Sequence, residues 1–165
     1  MQEMDVLGVR AELPGNAPIV MLQERGGDGR ILPIFIGAPE ATAIVLALDG
    51  VEAPRPMTHD LFHQVLGELG AVPERVVVTD LRDGTFFAEL YLRLGNDVHV
   101  VSSRPSDAIA LAVRADAPVF VETEVLDAAA HPPESDDDEE EPVTEEVVEA
   151  FRDFIDNVSP EDFEN

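Results

Sequence analysis

RVVVTDLRDGTFFAELYLR, residues 75–93, is the stretch that decides the fold. Asp83-Gly84 at its centre suits the positive-φ positions of a two-residue hairpin turn. Residues 75–82 read as the incoming strand. In the returning strand Phe86, Ala88, Leu90 and Leu92 fall on one face, and Phe87, Glu89, Tyr91 and Arg93 on the other. Working outward, Gly95-Asn96-Asp97 turns the chain again and residues 98–102 come back as a third strand. Pro105-Ser106-Asp107 then opens a helix through Ala115 that is apolar almost all round, which predicts a place in the core.

The first half shows the same order. Residues 3–13 begin extended and end at a Pro14-Gly15-Asn16 turn. Residues 19–22 and 30–36 form a hairpin across the flexible Gly26-Gly27-Asp28-Gly29. Residues 38–48, with Glu40 and Thr42 the polar exceptions, predict a mostly buried helix closed by Gly50. Thr58 opens a second helix in which Leu61, Val65, Leu66 and Leu69 recur at helical spacing, with His63, Gln64 and Glu68 turned outward. Residues 119–121 are extended and 122–130 supply one or two helical turns. Three strands then helix, twice, with hairpin links, gives an α+β class with largely antiparallel sheet. Arg-Pro followed by Ser or Thr and then Asp at two helix starts suggests an internal duplication of that unit.

Composition bounds the chemistry. At 165 residues and 45% hydrophobic content the chain can bury a real core. No apolar run approaches the roughly 20 residues of a membrane span. Residues 1–5 lack the basic and apolar regions of a signal peptide, so the expected location is the cytoplasm. The absence of cysteine excludes disulfides, thiol catalysis and thiolate metal sites. The net charge is -25, and every basic residue is Arg. Residues 1–133 carry -11 and residues 134–165 carry -14. Such a surface repels polyanions and excludes a broad nucleic-acid groove, while a small Arg-lined or metal-bridged pocket remains compatible with it. The predicted organisation is a domain over 1–131, an acidic solvated linker over 132–143, and a C-terminal segment over 144–165 whose helix carries an apolar stripe from Val147 to Val158. That stripe needs this domain or a protein partner to cover it.

Two helix starts hold the candidate chemistry: Arg55-Pro56-Met57-Thr58-His59-Asp60 and Arg104-Pro105-Ser106-Asp107. Capping explains Thr58, Asp60, Ser106 and Asp107 without any function. It leaves Arg55, His59 and Arg104 unexplained. Two guanidinium groups at helix N-termini would hold a phosphate or carboxylate, and His59 is suited to proton transfer near neutral pH. Asp60, Asp107 and Glu40 could hold Mg²⁺ or Mn²⁺ through oxygen. Glu40, one turn into a buried helix, needs a partner, and an Arg of the two motifs is the expected one. No Walker loop, Rossmann glycine pattern or nucleophile elbow is present, and no organic cofactor is expected.

The motifs Leu32-Pro33-Ile34-Phe35-Ile36-Gly37 with Glu40-Ala41, then residues 55–61, then Asp83-Gly84-Thr85-Phe86-Phe87-Ala88, then residues 104–112, closely resemble the bifunctional nuclease (BFN) family, formerly a domain of unknown function. The likeness spans about residues 3–130, and the tail around residues 151–163 is similar to the extension of actinobacterial members. The resemblance implies an α+β fold, a homo-oligomer, and nuclease activity on DNA and RNA. The family's best-preserved positions map to Glu40, Arg55, Thr58, His59, Asp60, Arg104, Ser106 and Asp107. On that basis Arg55, Arg104, Thr58 and Ser106 are expected to bind substrate, His59, Asp60 and Asp107 to be catalytic, and Glu40, Asp60 and Asp107 to be metal ligands. The competing expectation is a regulatory or anion-binding module without enzymatic activity, whose acidic tail recruits a protein.

Overall fold

The computed structural model describes residues 1–12 and 17–133. The turn expected at residues 14–16, most of the acidic linker and the C-terminal helix lie outside the described residues.

Each hairpin signal in the sequence produces a meander. The first comprises β1 (Gln2–Glu12), β2 (Ala17–Glu24) and β3 (Ile31–Phe35), and the second β4 (Ala71–Arg82), β5 (Thr85–Leu94) and β6 (Asp97–Ser103). Asp83 and Gly84 both take positive φ, as the two-residue turn between β4 and β5 requires. The short β7 (Val119–Val121) joins the meanders, antiparallel to β1 and parallel to β4. Among the described residues the result is one seven-stranded sheet in the order β3-β2-β1-β7-β4-β5-β6, mostly antiparallel. The class is α+β.

Helices α1 (Ala38–Leu48) and α3 (Pro105–Ala115) follow directly on β3 and β6. They pack on one another as well as on the sheet. The expectation for α3 holds: Ala108 to Ala112 are all buried, together with Leu22, Leu32, Ile44, Val76, Val78 and Val121 from both halves of the sheet. Burying these apolar side chains removes their surface from water at roughly 25 cal/mol per Å², and α3 is the element around which that burial is organised. The last described helix, α4 (Thr123–Ala129), buries Val125 and Leu126.

Three expectations are corrected. In α1 only Ala41, Ala43 and Ile44 are buried, while Val45 and Leu48 are exposed. In α2 (Thr58–Glu68) the apolar repeat mostly faces solvent: Leu66 is 7% exposed, but Leu61, Val65 and Leu69 are 54%, 43% and 69% exposed. Leu66 and side-chain pairs of the first turn hold the helix to the body, and the rest of the periodic face is one that no described element covers. His63, expected outward, is half-buried, and its Nδ1 is shielded from solvent with no hydrogen-bond partner among the described residues. No helix among the described residues is long and apolar enough to cross a membrane.

Candidate functional site

The site begins at the residue that ends β6. Arg104 is the N-cap of α3 in extended backbone, and Pro105 supplies the preset φ of the first helical position. No side chain caps the helix. Asp107, in the first turn, instead turns its carboxylate back onto Arg104: Nε donates to Oδ2 at 2.7 Å and Nη2 to Oδ1 at 3.1 Å. Glu40, at the corresponding place in α1, accepts from Arg104 Nη2 at 2.7 Å. Gly37, the N-cap of α1, keeps that geometry open, because a Cβ there would collide with Glu40 Oε2. The structural counterpart of the α3 start is therefore the α1 start, not the α2 start. Arg104 opens its helix directly, whereas Arg55 lies two residues before the α2 N-cap, Met57. The likeness of the two Arg-Pro motifs does not extend to their geometry.

Helix α2 adds the third partner. His59 Nε2 lies 3.0 Å from Asp107 Oδ1, and its side chain is 13% exposed. A carboxylate can only accept, so Nε2 is the donor in this contact. Asp107 Oδ1 thus touches both His59 Nε2 and Arg104 Nη2, which brings an imidazole and a guanidinium within reach of one phosphate-sized group.

The charges shift one another in consistent directions. The hydrogen bond from Arg104 is the main cause holding the Glu40 carboxyl below its usual range. Burial pushes the Asp107 carboxyl up, but hydrogen bonds from Arg104 and His59 outweigh it and the net shift is downward. Hydrogen bonds to Asp107 and Glu40 raise Arg104 in turn. The Glu40, Asp107 and Arg104 side chains together sum to one negative charge.

Asp60 stands apart. Its Oδ2 accepts from the Met57 backbone N–H at 2.9 Å, one half of a capping box. Its Oδ1 accepts from Arg114 Nε at 2.7 Å, which holds its carboxyl low. Arg114 is nearly buried and also donates to the Ala110 carbonyl. Sequence reasoning missed Arg114, although a cation on so apolar a helix signals a need for a partner. Arg55 is exposed and forms no hydrogen bond or ion pair within the described residues. Thr58 is the first residue of α2 rather than its cap.

The three carboxylates expected to share a metal therefore point at two different guanidinium groups. Among the described residues no set of three His, Asp or Glu side chains is placed to hold an ion. Glu40 and Asp107 both hold carboxylate oxygens against Arg104, so a divalent ion would compete with that guanidinium for them.

Cavities of about 350 Å³ flank the cluster. One, beside His59 and Asp107, is lined also by Thr58, Phe62, Leu90 and Ser103. The other, beside Arg104 and Ser106, is lined by Phe35, Gly84, Thr85 and Phe86.

Comparison with known proteins identifies the family. The family model of the bifunctional nuclease domain matches residues 20–134. An uncharacterized protein of Mycobacterium tuberculosis is 46% identical over 166 residues, 99% of this chain and 98% of its own length. Bifunctional nuclease 2 of Arabidopsis thaliana is 33% identical over 114 residues, and Bifunctional nuclease 1 of Oryza sativa subsp. indica is 29% identical over 123. Those matches take in 66% and 73% of this chain but only 35% and 37% of the plant proteins. The chain belongs to the bifunctional nuclease domain family.

Proposed function

We propose that the chain hydrolyses phosphodiester bonds of DNA or RNA at the Arg104–Asp107–His59 cluster. The observation that carries this reading is the carboxylate-held imidazole beside a guanidinium, at the wall of a cavity. Arg104 spends Nε and Nη2 on Asp107 and Glu40, which leaves the Nη1 hydrogens for a phosphate oxygen. His59 Nδ1 takes a proton from the attacking water as its oxygen bonds to phosphorus. The bond to the leaving sugar oxygen breaks, and that oxygen takes a proton back from the imidazolium. Arg55 would meet a neighbouring phosphate, and Thr58 and Ser106 would offer hydroxyls from the two cavities. Asp60 positions α2, and with it His59, through Arg114. No step is routed through Mg²⁺ or Mn²⁺.

The test is cleavage of single-stranded DNA and RNA by purified protein, with and without EDTA, beside His59→Ala and Asp107→Asn. Loss in both variants supports the site, and loss on chelation would return Glu40 and Asp107 to a metal role. Equal cleavage in every sample identifies a contaminating nuclease. A second copy of the chain is the other partner in this reading: the exposed Leu61, Val65 and Leu69 are surface that self-association would cover, and light scattering gives the mass.

One observation favours the rival, a non-enzymatic anion-binding or regulatory module. Arg104 is matched by two carboxylates, so the cluster can brace α1 against α3 with no substrate. That module would show partners retained by the full chain, lost on removal of residues 134–165, and no turnover.

A further inference from the structure

Phe35 is the last residue of the edge strand β3, and it is 61% exposed. Its ring is therefore largely open to solvent. It lines a cavity of about 350 Å³, with Phe86 beyond the β4–β5 turn and Thr85 and Gly84 within the turn region. The Arg104 side chain, 65% exposed, and Ser106 line the same cavity. Gly37 and Gly84 contribute no side chains, so the space between the rings and the guanidinium stays open.

We propose that this cavity is a base-binding subsite for single-stranded nucleic acid: Phe35 stacks the base of the nucleotide whose phosphate meets Arg104. The proposal rests on the nuclease reading for the class of ligand. Its own support is an exposed aromatic ring and a cation lining one cavity, the combination by which proteins hold an unpaired base and its backbone. A base within a duplex is stacked on its neighbours and cannot offer its face, so the subsite selects single strands. Stacking is indifferent to base identity because every base has a π-face. It also supplies affinity without added positive charge, which suits a chain at -25. Arg104 joins this cavity to the one beside His59 through Asp107. A nucleotide seated on Phe35 therefore has its phosphate at the cluster.

The experiment compares binding of a labelled oligothymidylate, an abasic oligomer of equal length, and a duplex, by fluorescence anisotropy on the full chain in EDTA. Phe35→Ala should weaken oligothymidylate binding by roughly 5- to 150-fold, as expected for one lost stack. Phe35→Trp should restore it, and the abasic oligomer should bind both variants alike. Circular dichroism of each variant verifies the fold. Unchanged oligothymidylate binding in Phe35→Ala, or an equal loss for the abasic oligomer, overturns the subsite. The two readings fail separately. Cleavage that persists without dependence on Phe35 leaves the nuclease and removes the subsite, whereas Phe35-dependent binding without cleavage does the reverse. A wild-type chain that neither binds nor cleaves the single strand overturns both.

Discussion

At the scale of single residues, the cluster turns on Asp107, which accepts from both Arg104 and His59. Removing the imidazole should cost what general acid–base catalysis supplies, so His59→Ala should lower cleavage about 10²- to 10⁴-fold in single-turnover assays. The acid response carries a definite sign. Glu40 and Asp107 have folded-state pKa values below their ordinary ones. Their pairing therefore stabilises the fold above the ordinary carboxylate range and is lost as pH falls through the lowered values. Wild type and Arg104→Ala should differ in melting temperature by a constant amount from about pH 8 to 5, then converge below about pH 4. Arg104 is largely exposed, so the constant difference should be small. A gap that widens on acidification would contradict the pairing. Gly37→Ala tests the same network from the backbone side. The new Cβ must displace the Glu40 carboxylate, so this variant should match Glu40→Gln in melting temperature and cleavage.

At the scale of elements, α2 is held by side-chain pairs rather than by burial. Its buried residue is Leu66, and its first turn is tied to α3 by His59–Asp107 and Asp60–Arg114. Arg114→Ala removes a nearly buried donor and should cost about 1–3 kcal/mol in urea unfolding. The amides of α2 should then exchange with solvent faster than those of α3. Uniform exchange across both helices would mean that α2 has other anchors. The sequence made the elements themselves legible: Asp83-Gly84 marked the hairpin, Pro105 marked the start of α3, and the all-apolar run in α3 marked its burial. Its reading of α2 placed Leu61, Val65 and Leu69 inward, because helical period reports the direction of an apolar face and not whether anything packs on it.

At the scale of the whole molecule, charge limits how nucleic acid can be held. The proposed phosphate contacts are the guanidinium groups of Arg104 and Arg55, against a net charge of -25. Each phosphate neutralised on a single strand contributes about -0.7 to the slope of log affinity against log salt. The slope for oligothymidylate should therefore be no steeper than about -1.4, and relief of the acidic repulsion by salt makes it shallower still. A slope of about -4 or steeper would require cations beyond those two. Affinity in such a protein has to come from contacts that salt does not screen, which is the role assigned to Phe35.

The sequence by itself determined the two meanders, the buried α3, the acidic charge, the family, and a short set of residues containing His59, Arg104, Asp107 and Glu40. It could do so because turn chemistry, apolar period and motif order are local properties of the chain. Only the tertiary structure decided which of those residues meet. Packing of α1 against α3 brought Glu40 to Arg104, and the crossing of α2 over α3 gave His59 to Asp107 while handing Asp60 to Arg114. Arg55 and Arg104 read alike because both precede a proline. They differ in space because Arg104 opens a helix and Arg55 lies at a bend in the link between α1 and α2, and the distance between those two roles is set by packing rather than by sequence.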